Sequence, residues 1–141
     1  MGIDSDRLKH SLAVARKMVD IGKTKGLTEK ELQDLFILGY NHDIGYEFAD
    51  NSLDHGIIGG EMLKDSNYKY WKEIYYHGNP NTDYKSLYLT ILNQADMQVD
   101  KYGNDVGYEK RLEDIKSRYG EKSIEYINSR IIIEKFKEEI K

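Results

Sequence analysis

Residues 88–99 read YLTILNQADMQV, and this stretch decides the fold class. Tyr88, Leu92, Ala95 and Val99 recur at i, i+4, i+7 and i+11, the period of one helical face and not the alternation of a strand. Asp96 stands within that face, one turn beyond Leu92 and one before Val99. An ionised carboxylate in an apolar interior needs a cation or several donors, so Asp96 is a chemical signal as well as a structural one. The rest of the chain keeps the same period. A single proline in 141 residues, with no valine-rich alternation, points to an all-α fold of six or seven helices.

Working outward, Asp4 or Ser5 is a cap for a first helix reaching about Ile21. Leu8, Leu12, Ala15 and Val19 form its apolar stripe, and Gly22 and Gly26 end it. Thr28 and Glu31 have the spacing of a capping box. Leu32, Leu35, Phe36 and Gly39 then mark the buried side of a second helix that is expected to stop near Gly45. A third starts near Ser52 and carries Ile58, Met62 and Leu63. A fourth follows Ser66 with Tyr70 and Ile74 and ends before Gly78. After the fifth, residues 102–107 read as a loop. Two C-terminal helices over about 108–140 carry Leu112 and Ile115, then Ile124, Ile127, Ile131 and Phe136. No linker, repeat or biased segment divides the chain, so residues 1–141 read as one domain. The final helix either closes the core or offers a homodimer face.

Composition removes whole classes of function. With no cysteine there is no disulfide framework, thiolate metal site or cysteine nucleophile. Acidic residues exceed basic ones for a net charge of -4, which provides no basic face for duplex nucleic acid. The longest apolar runs, such as Ile131-Ile132-Ile133, fall far short of the ~18 residues of a membrane span. The opening MGIDSDRLKH has no apolar stretch of a signal peptide, so a cytoplasmic location without membrane association is expected.

The four histidines, His10, His42, His55 and His77, fall one on each of the first four helices or at its end. A lone histidine on an apolar face is commonly a hydrogen-bonded core residue. Four of them together with the buried-side carboxylates Asp43 and Asp96 form a different kind of set. Imidazoles and carboxylates are the ligands that suit iron, manganese, zinc, cobalt or nickel. Metal binding is therefore expected at these residues. Arg7 and Lys17 share the helical neighbourhood of His10 and are candidate phosphate partners, as is Lys64, each weighed against an ordinary solvated role. Gly59 and Gly60 signal close packing beside His55. The tyrosines between Tyr68 and Tyr88, with Trp71, read as core and rim residues.

The order His10, His42-Asp43, His55, His77, Asp96 resembles the signature of the HD superfamily of metal-dependent phosphohydrolases. The strings HSLAVARKM at 10–18, LGYNHDIGY at 38–46, HGIIGGEML at 55–63, YYHGNP at 75–80 and NQADMQVD at 93–100 carry the likeness, which covers about residues 5–101. The resemblance implies a helical HD bundle in which His10, His42, Asp43 and Asp96 hold one divalent metal. His55 and His77 would hold a second, with Asp43 bridging the pair. It also implies hydrolysis of a small phosphorylated substrate, such as a nucleotide, by a metal-activated hydroxide, with His42 and Asp43 as the catalytic residues. Imidazole ligands must be neutral to bind metal, so activity is expected to fall at acid pH.

One position departs from related subfamilies. The HD-GYP enzymes and the HD-type diadenosine tetraphosphate hydrolases often have lysine four residues after the histidine of the doublet. This chain has Tyr46, which can donate a hydrogen bond but carries no charge. Tyr46 joins Arg7 and Lys17 as a candidate substrate contact. A similar ligand set also serves di-iron oxygenases of the HD type, and a non-catalytic nucleotide-binding module is a third reading.

Overall fold

The computed structural model describes residues 5–43, 55–66 and 68–140, and the side chains of these except at 55, 56, 139 and 140. The described residues form helices and no strand, as the sequence period predicts. The elements are α1 (Ser5–Thr24), α2 (Glu29–Asn41), α3 (His55–Asp65), α4 (Trp71–Tyr76), α5 (Leu87–Asp96), α6 (Gly107–Tyr119) and α7 (Ile124–Ile140). Helix α1 packs on α2 and α5, α3 on α4, and α6 on α7, while α5 also touches α2, α4 and α7. No helix among the described residues is long and apolar enough to cross a membrane.

The α1–α2 pair is set by two glycines. A Cβ at Gly39 would lie 2.6 Å from Ala15 Cα and 2.8 Å from Met18 Sδ, so α2 meets the backbone of α1 without a spacer. This contact turns α1 away from the orientation its leucines suggest. Leu8 is 43% exposed, and the buried columns are His10–Val14–Met18 and Ser11–Ala15–Gly22. His10 therefore heads a buried column and does not stand beside one. Gly22 does not end the helix, which runs on to Thr24. A Cβ at Gly22 would meet Leu35 Cδ1 at 2.7 Å, so this glycine is a packing residue. Gly26, at φ 72°, makes the turn.

The expected capping box opens α2. Thr28 Oγ1 accepts from the Glu31 N–H at 3.2 Å, and Glu31 Oε1 accepts from the Thr28 N–H at 2.9 Å. Leu35, Leu38 and Gly39 are the buried residues of this helix, whereas Phe36 is 37% exposed and stacks on Tyr40. The helix ends at Asn41, four residues before Gly45, with His42 as its C-cap. Gly60 performs for α3 and α4 what Gly39 does for the first pair, since a Cβ there would lie 2.5 Å from Tyr75 Cβ.

Helix α5 opens on Ser86, whose hydroxyl accepts from the Leu89 N–H at 3.0 Å, and it ends at Asp96. Val99 lies past that end, buried and bridged to Asp105. Asp96 is thus the last helical residue of the stripe and not its middle. The main core gathers Val14, Met18, Leu35, Leu38, Ile91 and Leu92, among others, between α1, α2 and α5. A second cluster joins Met97 to Ile115 of α6 and to Ile132, Ile133 and Phe136 of α7. Ile124 and Ile127 are exposed, so the second half of α7, not the expected stripe from Ile124, faces the core. The ends of α2, α4 and α5 come together where these two clusters meet.

Candidate metal centre

Three histidines reach the meeting point by one device. Helix ends leave carbonyls without intrahelical partners. His42, the C-cap of α2, donates its Nδ1–H to the Gly39 carbonyl at 2.6 Å. His77, the C-cap of α4, does the same to Ile74 at 2.6 Å. His10, in mid-helix, donates from Nδ1 to the carbonyl of Asp100 at 2.9 Å, just beyond α5. A carbonyl only accepts, so Nδ1 carries the hydrogen in all three rings. In the neutral imidazole Nε2 is then a lone pair.

Those lone pairs face carboxylate oxygens. His10 Nε2 is 2.9 Å from Asp96 Oδ1 and 3.6 Å from Asp43 Oδ2. His42 Nε2 lies 3.3 Å from Asp43 Oδ2 and 3.6 Å from Asp96 Oδ1, and His77 Nε2 is 3.7 Å from Asp43 Oδ1. All five residues are buried, and His42 is wholly inaccessible. Its Nε2 makes no hydrogen bond. Acceptors converging on acceptors away from water require a cation between them, either a proton or a metal ion. Without a metal, His42 is the group that holds a proton there. Burial pulls the His42 imidazole down, but the charges of Asp43 and Asp96 outweigh it and push it up to about 9. Burial raises the Asp96 carboxyl, yet the hydrogen bond from His10 and the nearby charge of His42 hold it well below the usual carboxylate range. Two overlapping trios, His10–His42–Asp43 and His42–His77–Asp96, each bring one ligand atom per residue within 4.8 Å of the others.

The HD domain family model matches residues 7–99, more than half of the chain and all of the segment that supplies these five residues. The chain belongs to the HD domain family. No curated protein and no solved structure matches it. HD domains bind divalent metals, and most are metal-dependent hydrolases. The donor set fits that chemistry: imidazoles fixed in one tautomer by backbone carbonyls, with carboxylates opposite, are how proteins orient metal ligands.

Of the remaining candidates, His55 is the first residue of α3, with its side chain outside the described residues, and Tyr46 lies outside them altogether. Arg7 lines the cavity that opens onto the cluster. Lys17 does not; its ammonium pairs with Asp105 at 2.8 Å, clasping α1 to the loop after α5. Lys64 lies over the Trp71 ring, 5.1 Å from its centre.

The cavity on the HD domain cluster measures about 540 Å³. His10, Asp43, His77 and Asp96 form one side, and residues of α6 and α7, beyond the family segment, form another. The most consequential of these is Arg111, which is 7% exposed. Its Nε donates to the Asp96 carbonyl at 3.0 Å. One terminal nitrogen lies 3.5 Å from Asp96 Oδ1, and the other donates to Asp114 at 2.8 Å. The helix that supplies Asp96 is thereby fastened to α6 at Asp96 itself. Nothing in the sequence reading singled out Arg111, although it stands four residues before the buried Ile115. A cation on a buried helical column calls for a carboxylate partner.

Proposed function

We propose that this protein is a metal-dependent phosphohydrolase acting on a nucleotide or another small phosphate ester. The observation that carries this reading is the cluster of tautomer-fixed histidines and buried aspartates on the wall of a cavity rich in guanidinium. Arg7, Lys101, Arg111 and Arg118 line that cavity, against Asp6 and Glu125 besides the two cluster carboxylates. Any divalent ion on Asp43 and Asp96 leaves the walls net positive, which suits an anionic substrate. His10, His42, Asp43 and Asp96 would hold one ion. His77 and His55 would hold a second, with Asp43 shared between them.

Divalent ions there would polarise a phosphoryl oxygen and make water a nucleophile at neutral pH. The chain's own part is orientation. The Gly39, Ile74 and Asp100 carbonyls keep three Nε2 atoms aimed inward, and Arg111 keeps Asp96 turned toward His10 and His42. The cationic wall would hold the ester's oxygens, and the buried cluster keeps bulk water from competing for the carboxylates.

The test is elemental analysis followed by a phosphate-release screen with manganese, cobalt, nickel, iron and zinc over nucleotides, dinucleotides and sugar phosphates. The expected result is bound metal and turnover of at least one ester. Oxygen uptake by the iron form without phosphate release would replace this reading with an oxygenase. Failure to retain any metal would remove it. His77→Ala separates one ion from two, since metal content should fall from about two per chain to about one.

A further inference from the structure

Helix α6 presents a cationic stripe to the cavity. Arg111, Ile115 and Arg118 all line it, with Tyr119 beside Arg118. Their spacing of four and three residues puts them on one face of the helix. Arg111 is fixed at the metal end by its bonds to Asp96. Seven residues separate Arg118 from Arg111, so it sits about 10 Å further along the helix axis.

Arg118 differs from Arg111 in how it is balanced. Among the described residues it has no carboxylate partner. Its guanidinium lies over the Tyr119 ring, 5.0 Å from the centre, and one nitrogen is 3.3 Å from the Tyr119 hydroxyl. The ring steadies the cation without neutralising it. A guanidinium that borders a cavity, is already oriented and is not paired with a carboxylate is suited to a second anionic group of an occupant.

We propose that Arg118, supported by Tyr119, forms a second anion subsite, so that the preferred ester carries another phosphate or carboxylate about 10 Å from the reacting phosphorus. The proposal rests on the phosphohydrolase reading for what occupies the metal end. It places substrate selection in α6, outside the segment that makes this chain an HD domain.

Binding to the manganese-loaded protein tests this by calorimetry, with α,ω-alkane bisphosphonates of increasing chain length compared with alkyl monophosphonates of the same lengths. The bisphosphonates should bind better by about tenfold once their ends span the cavity, the effect of one charge-assisted contact. A matched α,ω-phosphono-carboxylate series tells which second anion is preferred. In Arg118→Met the ratio of bisphosphonate to monophosphonate affinity should fall to near one, while Arg118→Lys keeps part of it. A ratio near one at every length in the wild type, or an unchanged ratio in Arg118→Met, overturns the proposal. The two readings fail separately. Esters hydrolysed without any such ratio defeat the subsite and leave the phosphohydrolase. A ratio that depends on Arg118, with no ester hydrolysed, leaves the subsite and defeats the phosphohydrolase.

Discussion

Helices α1, α2, α4 and α5, with the residues that directly follow α2 and α4, supply every metal-ligand candidate whose side chain is described, whereas α6 and α7 supply none and instead wall the cavity. The two halves are built by different means. In the first, each imidazole is tied to a backbone carbonyl, so its aim depends on where helices end and cross. In the second, aim depends chiefly on side chains holding one another: Arg111 on the Asp96 and Asp114 carboxylates, Arg118 on Tyr119. The imidazoles of the first half can be disturbed only by moving backbone or deleting one of them. The wall half can be altered one side chain at a time.

The largest effect should come from the ligand half. Asp43→Ala removes the carboxylate that faces His10, His42 and His77 together, leaving three buried lone pairs with one carboxylate. Both metal retention and turnover should be lost, as read by elemental analysis and phosphate release. Retention of wild-type metal content by this variant would show that Asp96 and the histidines suffice, and the account of Asp43 as the shared carboxylate would fall.

The next effect crosses the boundary between the halves. Arg111→Met keeps much of the side-chain volume and removes the bonds to Asp96 and Asp114. Loss of a group that orients a metal ligand commonly costs about 10–100-fold in metal affinity. A manganese titration should show a drop of that order in a protein that still unfolds cooperatively. Arg111→Lys should recover only part of it, since an ammonium has no planar fork to reach both the Asp96 carbonyl and its carboxylate. Full affinity in Arg111→Met would mean that the ligand half orients itself, and the comparison would sharpen into independence.

The same division explains what could be read from the sequence. His10, His42, Asp43, His77 and Asp96 were legible because such residues are uncommon on apolar helical faces and unfavourable there without a purpose. The capping box at Thr28 and Glu31 was legible because both its partners lie within four residues. Contacts between elements remote in sequence were not. Leu8 and Phe36 look like core residues and are partly exposed, because close packing of Ala15 on Gly39 sets the rotation of α1 and α2. The carbonyl of Asp100 orients His10 across 90 residues, and a backbone group has no sequence signature. Arg111 and Arg118 sit in a helix dense with charge, where the pattern of a solvated face hides the one that turns inward and the exposed one that borders the cavity.

The smallest effect tests whether fold stability and site geometry are separable within the ligand half itself. Thr28 caps α2 at the end opposite to His42, thirteen helical residues and about 20 Å away. Thr28→Ala removes the hydroxyl that accepts from Glu31 and should cost about 1 kcal/mol. For a chain of this size that lowers the melting temperature by about 4 °C. Metal affinity well below the transition should stay at the wild-type value, because His42 is aimed by the Gly39 carbonyl and Gly39 is wedged against Ala15. Those contacts are local to the far end of the helix and do not pass through the cap. A parallel fall in metal affinity would show that α2 acts as a rigid lever, transmitting a disturbance at Thr28 to His42. The backbone-tied half of the site would then be no less adjustable than the wall.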